Sequence, residues 1–156
     1  MTLPKIGNSP PDFLLLNQNN ETVRLKDFRG KNVVVYFYPK ASTPGCTVQA
    51  CGIRDYKKEF EELNTVILAI SPDAPTKLQK FDVKYNLDFE LLADEDHATA
   101  EAYGVWGLKK FMGREFMGLI RTTFIINTKG KIVNIIEKVN TKTHHDQVIE
   151  YIKNNC

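Results

Sequence analysis

Two cysteines stand five residues apart in the stretch YFYPKASTPGCTVQAC, residues 36–51. Cys46 directly follows Thr43-Pro44-Gly45, which read as a helix start: Thr43 is a good N-cap, and Pro44 suits the first helical position, where it has no N–H to lose. The sulfur of Cys46 then falls in the first helical turn. A free thiol ionises near about 8.5, and the positive end of a helix with its unpaired amides favours the thiolate, the nucleophilic form. Residue type and position therefore point to thiol chemistry at Cys46, against the plainer reading of one more small buried apolar side chain.

Cys51 poses a geometric question. On an ideal helix, Cα atoms five positions apart lie roughly 8.7 Å from each other and point about 140° apart, whereas a disulfide needs less than about 7 Å. Any bond between Cys46 and Cys51 thus requires the first turns to unwind, and Gly45 and Gly52 bracket the segment that would melt. The C-x4-C spacing has no downstream Cys/His pair to complete four zinc ligands, and it is not the C-x-x-C of a dithiol oxidoreductase. No metal or cofactor is expected. Cys156, the last residue, is read as an exposed end without a role.

The elements that must hold this segment follow from the apolar pattern. NVVVYFY, residues 32–38, suits a strand buried on both faces of a mostly parallel sheet, and Pro39 ends it. Residues 44–63 carry apolar side chains near the helical period, so one helix is expected there. Ahead of the strand, DFLLL and TVRL flank the polar turn NQNNE as a short hairpin. Behind it come strand TVILAIS, a helix near 75–86, a short strand around FELLA and a helix near 96–103, an alternation that implies right-handed crossovers and parallel pairing. LIRTTFIIN and KIVNIIE, joined only by TKG, form an antiparallel hairpin before a last amphipathic helix bearing Val148, Ile149 and Ile152. The fold class expected is α/β: a central mixed β-sheet flanked by helices, with an N-terminal hairpin and a β-α insertion, in a single domain spanning residues 1–156. Cys46 lies at the carboxyl end of a parallel strand, where open α/β sheets form their binding crevices.

Composition narrows the field. Lys and Arg number 21 against 19 Asp and Glu, a dispersed balance of +2 that gives no electrostatic basis for binding nucleic acid. No apolar run approaches the roughly 20 residues that cross a bilayer, and the first residues lack the apolar core of a secretory signal, so a cytoplasmic protein with no membrane partner is expected. Three cysteines are too few for a secreted disulfide framework, so any disulfide here is expected to be transient and chemical.

The spacing Pro39-x-x-x-Thr43-x-x-Cys46 resembles the active-site motif of the peroxiredoxins, and TPGCTVQACGIRD is similar to the branch called bacterioferritin comigratory protein, or peroxiredoxin Q. The similarity runs through SPD, LLADEDH, YGVWG, FMG and RTTFIIN. This resemblance implies a thioredoxin-like fold and the reduction of hydrogen peroxide and alkyl hydroperoxides. It implies that Cys46 is the peroxidatic cysteine and Cys51 the resolving one, that Thr43 hydrogen-bonds thiolate and peroxide, and that Pro39 shields the pocket. Arg121 matches the family's arginine from a later strand; on its own chemistry it is an always-charged group in an apolar strand that needs a partner or an exposed face. Thioredoxin is the reductant implied, and a monomer the state implied. Gln49 stands where the family frequently has glutamate, and Ala41-Ser42 replaces a more polar pair, which bears on the hydrogen bonding of the helix start.

Other features carry plainer readings. THHD at 143–146 reads as a helix cap, and DEDH at 94–97 as a loop with a helix N-terminus, rather than as metal clusters. GVWGLKKFMGREFMG reads as an apolar loop whose Trp106, Phe111, Met112, Phe116 and Met117 mostly pack on the body. Two other functions remain open at this level. One is a peroxide sensor oxidised without fast turnover; the other is Cys-His hydrolysis, for which only His97, His144 and His145 are available.

Overall fold

The computed structural model describes residues 3–156, with every side chain except that of Phe111. Strands β1 (Leu14–Asn17) and β2 (Thr22–Arg24) form the N-terminal hairpin, Leu14 opposite Arg24, and a 3-10 turn (Leu25–Phe28) leads to β3 (Asn32–Phe37). Then follow α1 (Pro44–Asp55), α2 (Lys57–Glu62), β4 (Thr65–Ser71), α3 (Pro75–Tyr85), β5 (Glu90–Ala93) and α4 (Ala98–Ala102). Strands β6 (Trp106–Phe111) and β7 (Arg114–Leu119) pair apart from the main sheet, and β8 (Thr122–Ile126), β9 (Ile132–Ile136) and α5 (His144–Asn155) close the chain.

The main sheet has the order β2-β1-β5-β4-β3-β8-β9. It is mixed: β3, β4 and β5 run parallel through helical crossovers, whereas the short connections of β1–β2 and β8–β9 force antiparallel pairing. All six residues of β3 are buried, and their alternation divides the core. Val34 and Tyr36 join Ala50, Ile53, Phe60, Leu78, Phe81 and Val148 beneath α1, α2, α3 and α5. Val33, Val35 and Phe37 join Phe13, Tyr103 and Phe124 on the opposite face, which α4 covers. Each such large side chain removed from water contributes roughly 1.5–3 kcal/mol.

Two expectations need correction. The helix expected over 44–63 is interrupted at Tyr56 (φ −111°, ψ 18°), whose ring leaves the helical path and stacks on His145 at 4.7 Å. The segment read as a loop is the β6–β7 hairpin, closed by Met112-Gly113 at φ 50° and 78°. Most of its apolar side chains do not pack on the body: Met112, Phe116 and Met117 are 87%, 45% and 56% exposed, while Trp106 packs flat on His97 at 3.9 Å. The side chain of Phe111 lies outside those described.

Candidate active site

The loop from β3 into α1 is held from the neighbouring strand. Asp73, buried just beyond β4, accepts from the backbone N–H of Ala41 at 2.8 Å and from the hydroxyl of Ser71 at 2.9 Å. Ser42 adopts φ 65°, a left-handed conformation unusual for a residue with a side chain, which turns the loop into α1. Pro39, half-buried, ends β3 at this point.

Thr43 and Pro44 take the expected N-cap and first helical positions, and Cys46 lies in the first turn, 1% exposed. The cap itself differs from expectation. The Thr43 hydroxyl makes no capping bond but donates to the carbonyl of Lys40 at 2.7 Å, so its oxygen retains acceptor lone pairs only. The Thr43 carbonyl instead accepts from the N–H and hydroxyl of Thr47.

Arg121, immediately before β8, finds its partners on α1. Its Nη2 donates to the sulfur of Cys46 at 3.3 Å and its Nη1 to the amide oxygen of Gln49. Cys46 and Gln49 are three apart on the helix and therefore share a face, so one planar guanidinium spans both. Guanidinium and helix start bring two positive potentials to the sulfur, an arrangement that an anion would hold together.

The network continues behind Gln49. This side chain is fully buried, and its amide nitrogen lies 3.2 Å from Nδ1 of His144, whose Nε2 is 2.8 Å from the hydroxyl of Thr123. Burial holds the His144 imidazole far below its ordinary value, to about 3, with His145 and Arg121 adding repulsion. THHD is the start of α5 with Thr143 at the N-cap position as read, but Thr143 makes no side-chain capping bond, and His144 faces inward to Gln49. The i, i+3 relation of Cys46 and Gln49 was the available signal for Gln49; for His144, brought in by tertiary packing, there was none.

The remaining candidates lie apart. Cys51 is partly buried further along α1, and all three cysteines are free. His97 stacks on Trp106 and His145 on Tyr56, so among the described residues no imidazole hydrogen-bonds Cys46, as Cys-His hydrolysis would need. DEDH is a helix start as read, with Asp94 accepting from the N–H groups of Thr99 and Ala100. Burial nevertheless raises the Asp94 carboxyl above its ordinary value. Among the described residues no group of three His, Cys, Asp or Glu side chains converges as a metal site, and no helix is long and apolar enough to cross a membrane. A cleft lined by Val33, Lys26, Arg29 and Ile126 lies at the opposite end of β3 from Cys46.

Many known proteins are similar to this chain in sequence or in fold. Residues 6–135 match the AhpC/TSA family. Peroxiredoxin Bcp of Escherichia coli K12 is 48% identical over 149 residues, 96% of each chain. A structure of Xanthomonas campestris peroxiredoxin Q superposes with a TM-score of 0.87 at 31% identity, covering 92% of this chain and 90% of that one. A second, described in terms of the alkyl peroxide reduction activity of the bacterioferritin comigratory protein of that organism, gives 0.86 at 30% identity, covering 91% and 90%. The seven-stranded mixed sheet is thus the thioredoxin-like fold of these proteins.

Proposed function

The chain belongs to the AhpC/TSA family, in its Bcp or peroxiredoxin Q branch, and from that membership we propose a thiol peroxidase in which Cys46 reduces hydrogen peroxide and alkyl hydroperoxides. The observation that carries the reading is the 3.3 Å contact from the Arg121 guanidinium to a cysteine sulfur in the first turn of a helix.

The Cys46 thiolate attacks one peroxide oxygen in line with the O–O bond. An S–O bond forms, the O–O bond breaks, and the departing oxygen takes a proton to leave as water or alcohol. Arg121 and the amides at the start of α1 stabilise the charge that develops on that oxygen. Thr43, whose hydroxyl hydrogen is engaged by Lys40, accepts from the hydroperoxide O–H, and Pro39 walls the loop against water.

The sulfenic acid on Cys46 then condenses with Cys51: an S–S bond forms, the S–O bond breaks and water leaves. Both residues belong to one unbroken helix, so this step needs α1 to unwind. A dithiol protein, thioredoxin by family, supplies two electrons by exchange and restores both thiols. Cys46, Cys51, Thr43, Pro39 and Arg121 all come from one chain, which suits a monomer, and a disulfide that forms only in turnover suits the cytoplasm. Residues 1–156 act as one domain, since α5 returns from the end of the chain to pack on α1.

Peroxide consumption with thioredoxin, thioredoxin reductase and NADPH tests the scheme. Wild type should turn over, Cys46→Ser should be inactive, and mass spectrometry of the oxidised protein should find a 46–51 disulfide. A single oxidation without turnover would make the protein a sensor instead.

A further inference from the structure

We propose that His144 is a positioning residue for peroxide reduction, acting through Gln49 to fix how the Arg121 guanidinium meets Cys46. The kinetic part rests on the peroxidase reading of Cys46; the structural part does not.

The donors and acceptors leave one consistent assignment. A guanidinium has donors only, so the Gln49 atom facing Arg121 is the amide oxygen and the amide nitrogen faces His144. Nδ1 of His144 must then be the acceptor, which puts the proton of the neutral ring on Nε2, where it donates to Thr123 Oγ1. Were Gln49 turned over, its NH2 would face the N–H donors of Arg121 Nη1 with no acceptor between them, a buried donor–donor clash. His144 and Arg121 thus hold Gln49 from opposite ends.

Each member of this chain is itself held. Arg121, just before β8, and Thr123 within it are two residues apart, and both side chains reach this network, Arg121 to Gln49 and Thr123 to His144. Tyr36, directly opposite Thr123 on β3, meets the His144 ring edge-on at 5.4 Å. His144 and Gln49 are both fully buried. The line Thr123–His144–Gln49–Arg121–Cys46 therefore connects α5 and β8 to the reacting sulfur, and loss of the imidazole nitrogens frees the Gln49 amide to rotate.

Two measurements test this. Nitrogen-15 NMR of the imidazoles should show His144 neutral with its proton on Nε2 at pH 7, and Gln49→Glu, which offers only acceptors, should place a proton on Nδ1. A proton on Nδ1 in wild type, or no change in Gln49→Glu, overturns the proposal. In rapid mixing, His144→Phe, which keeps the ring against Tyr36, should lower the reaction of reduced Cys46 with hydrogen peroxide about tenfold, the scale of one hydrogen bond. Its reaction with iodoacetamide, which has no departing oxygen to stabilise, should change less than about threefold. Equal loss in both reactions, or in neither, counts against positioning. If His144→Phe does not fold, the NMR result decides alone; if wild-type Cys46 ignores peroxide, the function fails while the NMR result still judges the hydrogen-bonded chain.

Discussion

The guanidinium of Arg121 divides its two ends between the sulfur of Cys46 and the amide oxygen of Gln49, reaching back 75 and 72 residues along the chain. A planar fork can do this; an ammonium of the same charge has one centre and cannot address both. Arg121→Lys should therefore lose about 100-fold in the rate of Cys46 oxidation by peroxide, the usual cost of one donor aimed at developing negative charge. Stopped-flow kinetics would show it, and a loss under tenfold would mean that charge alone suffices.

The site segment was largely legible because its signals are local. Strand, Pro39, cap position, Pro44 and Cys46 are consecutive, and each has its own conformational preference. Arg121 was recognisable by resemblance, and its being a charge in an apolar strand demanded a partner without naming one. His144 was illegible because its role depends on α5 returning to α1 across 95 residues. The β6–β7 hairpin was missed for a different reason: its turn is Met-Gly, where Asn-Gly would have announced a left-handed pair.

That turn yields a prediction. Met112 holds φ 50° while 87% exposed, so its side chain contributes little packing against the cost of its backbone. Met112→Asn, better suited to the left-handed region, should stabilise the protein by roughly 0.5–1 kcal/mol if the hairpin melts with the rest. Urea unfolding at neutral pH checks it; a destabilised variant would show that Met112 has a packing role.

Gly52 lets α5 approach α1. A Cβ built there collides with the imidazole of His145, which is pinned by stacking on Tyr56 at 4.7 Å. Alanine normally gains about 1 kcal/mol over glycine inside a helix, but overpacking costs about 1–3 kcal/mol. Gly52→Ala should thus destabilise wild type and stabilise a His145→Ala background, a reversal of sign that urea unfolding of the four proteins would reveal. The same sign in both backgrounds would rule out the collision.

His144 makes stability depend on pH. Its folded value is about 3 against an ordinary 6.5, because burial opposes the cation and His145 and Arg121 repel it. Around it stand Gln49 and Thr123, which cannot titrate, the always-charged Arg121, and Tyr36, whose hydroxyl burial raises well above its ordinary value and keeps neutral. As pH falls through 6.5 the unfolded chain takes up a proton that the folded one refuses until about 3. Within that window the unfolded state binds more protons, so this contribution is complete above the unfolded value and declines as pH drops. One such proton is equivalent to about 2 kcal/mol between pH 7 and pH 5. Urea unfolding at those two pH values should show a smaller difference for His144→Phe than for wild type by about that amount. Equal differences would mean that the folded imidazole takes up its proton over the same range as the unfolded one, so that burial beside Gln49 and Arg121 does not keep the ring neutral at pH 5.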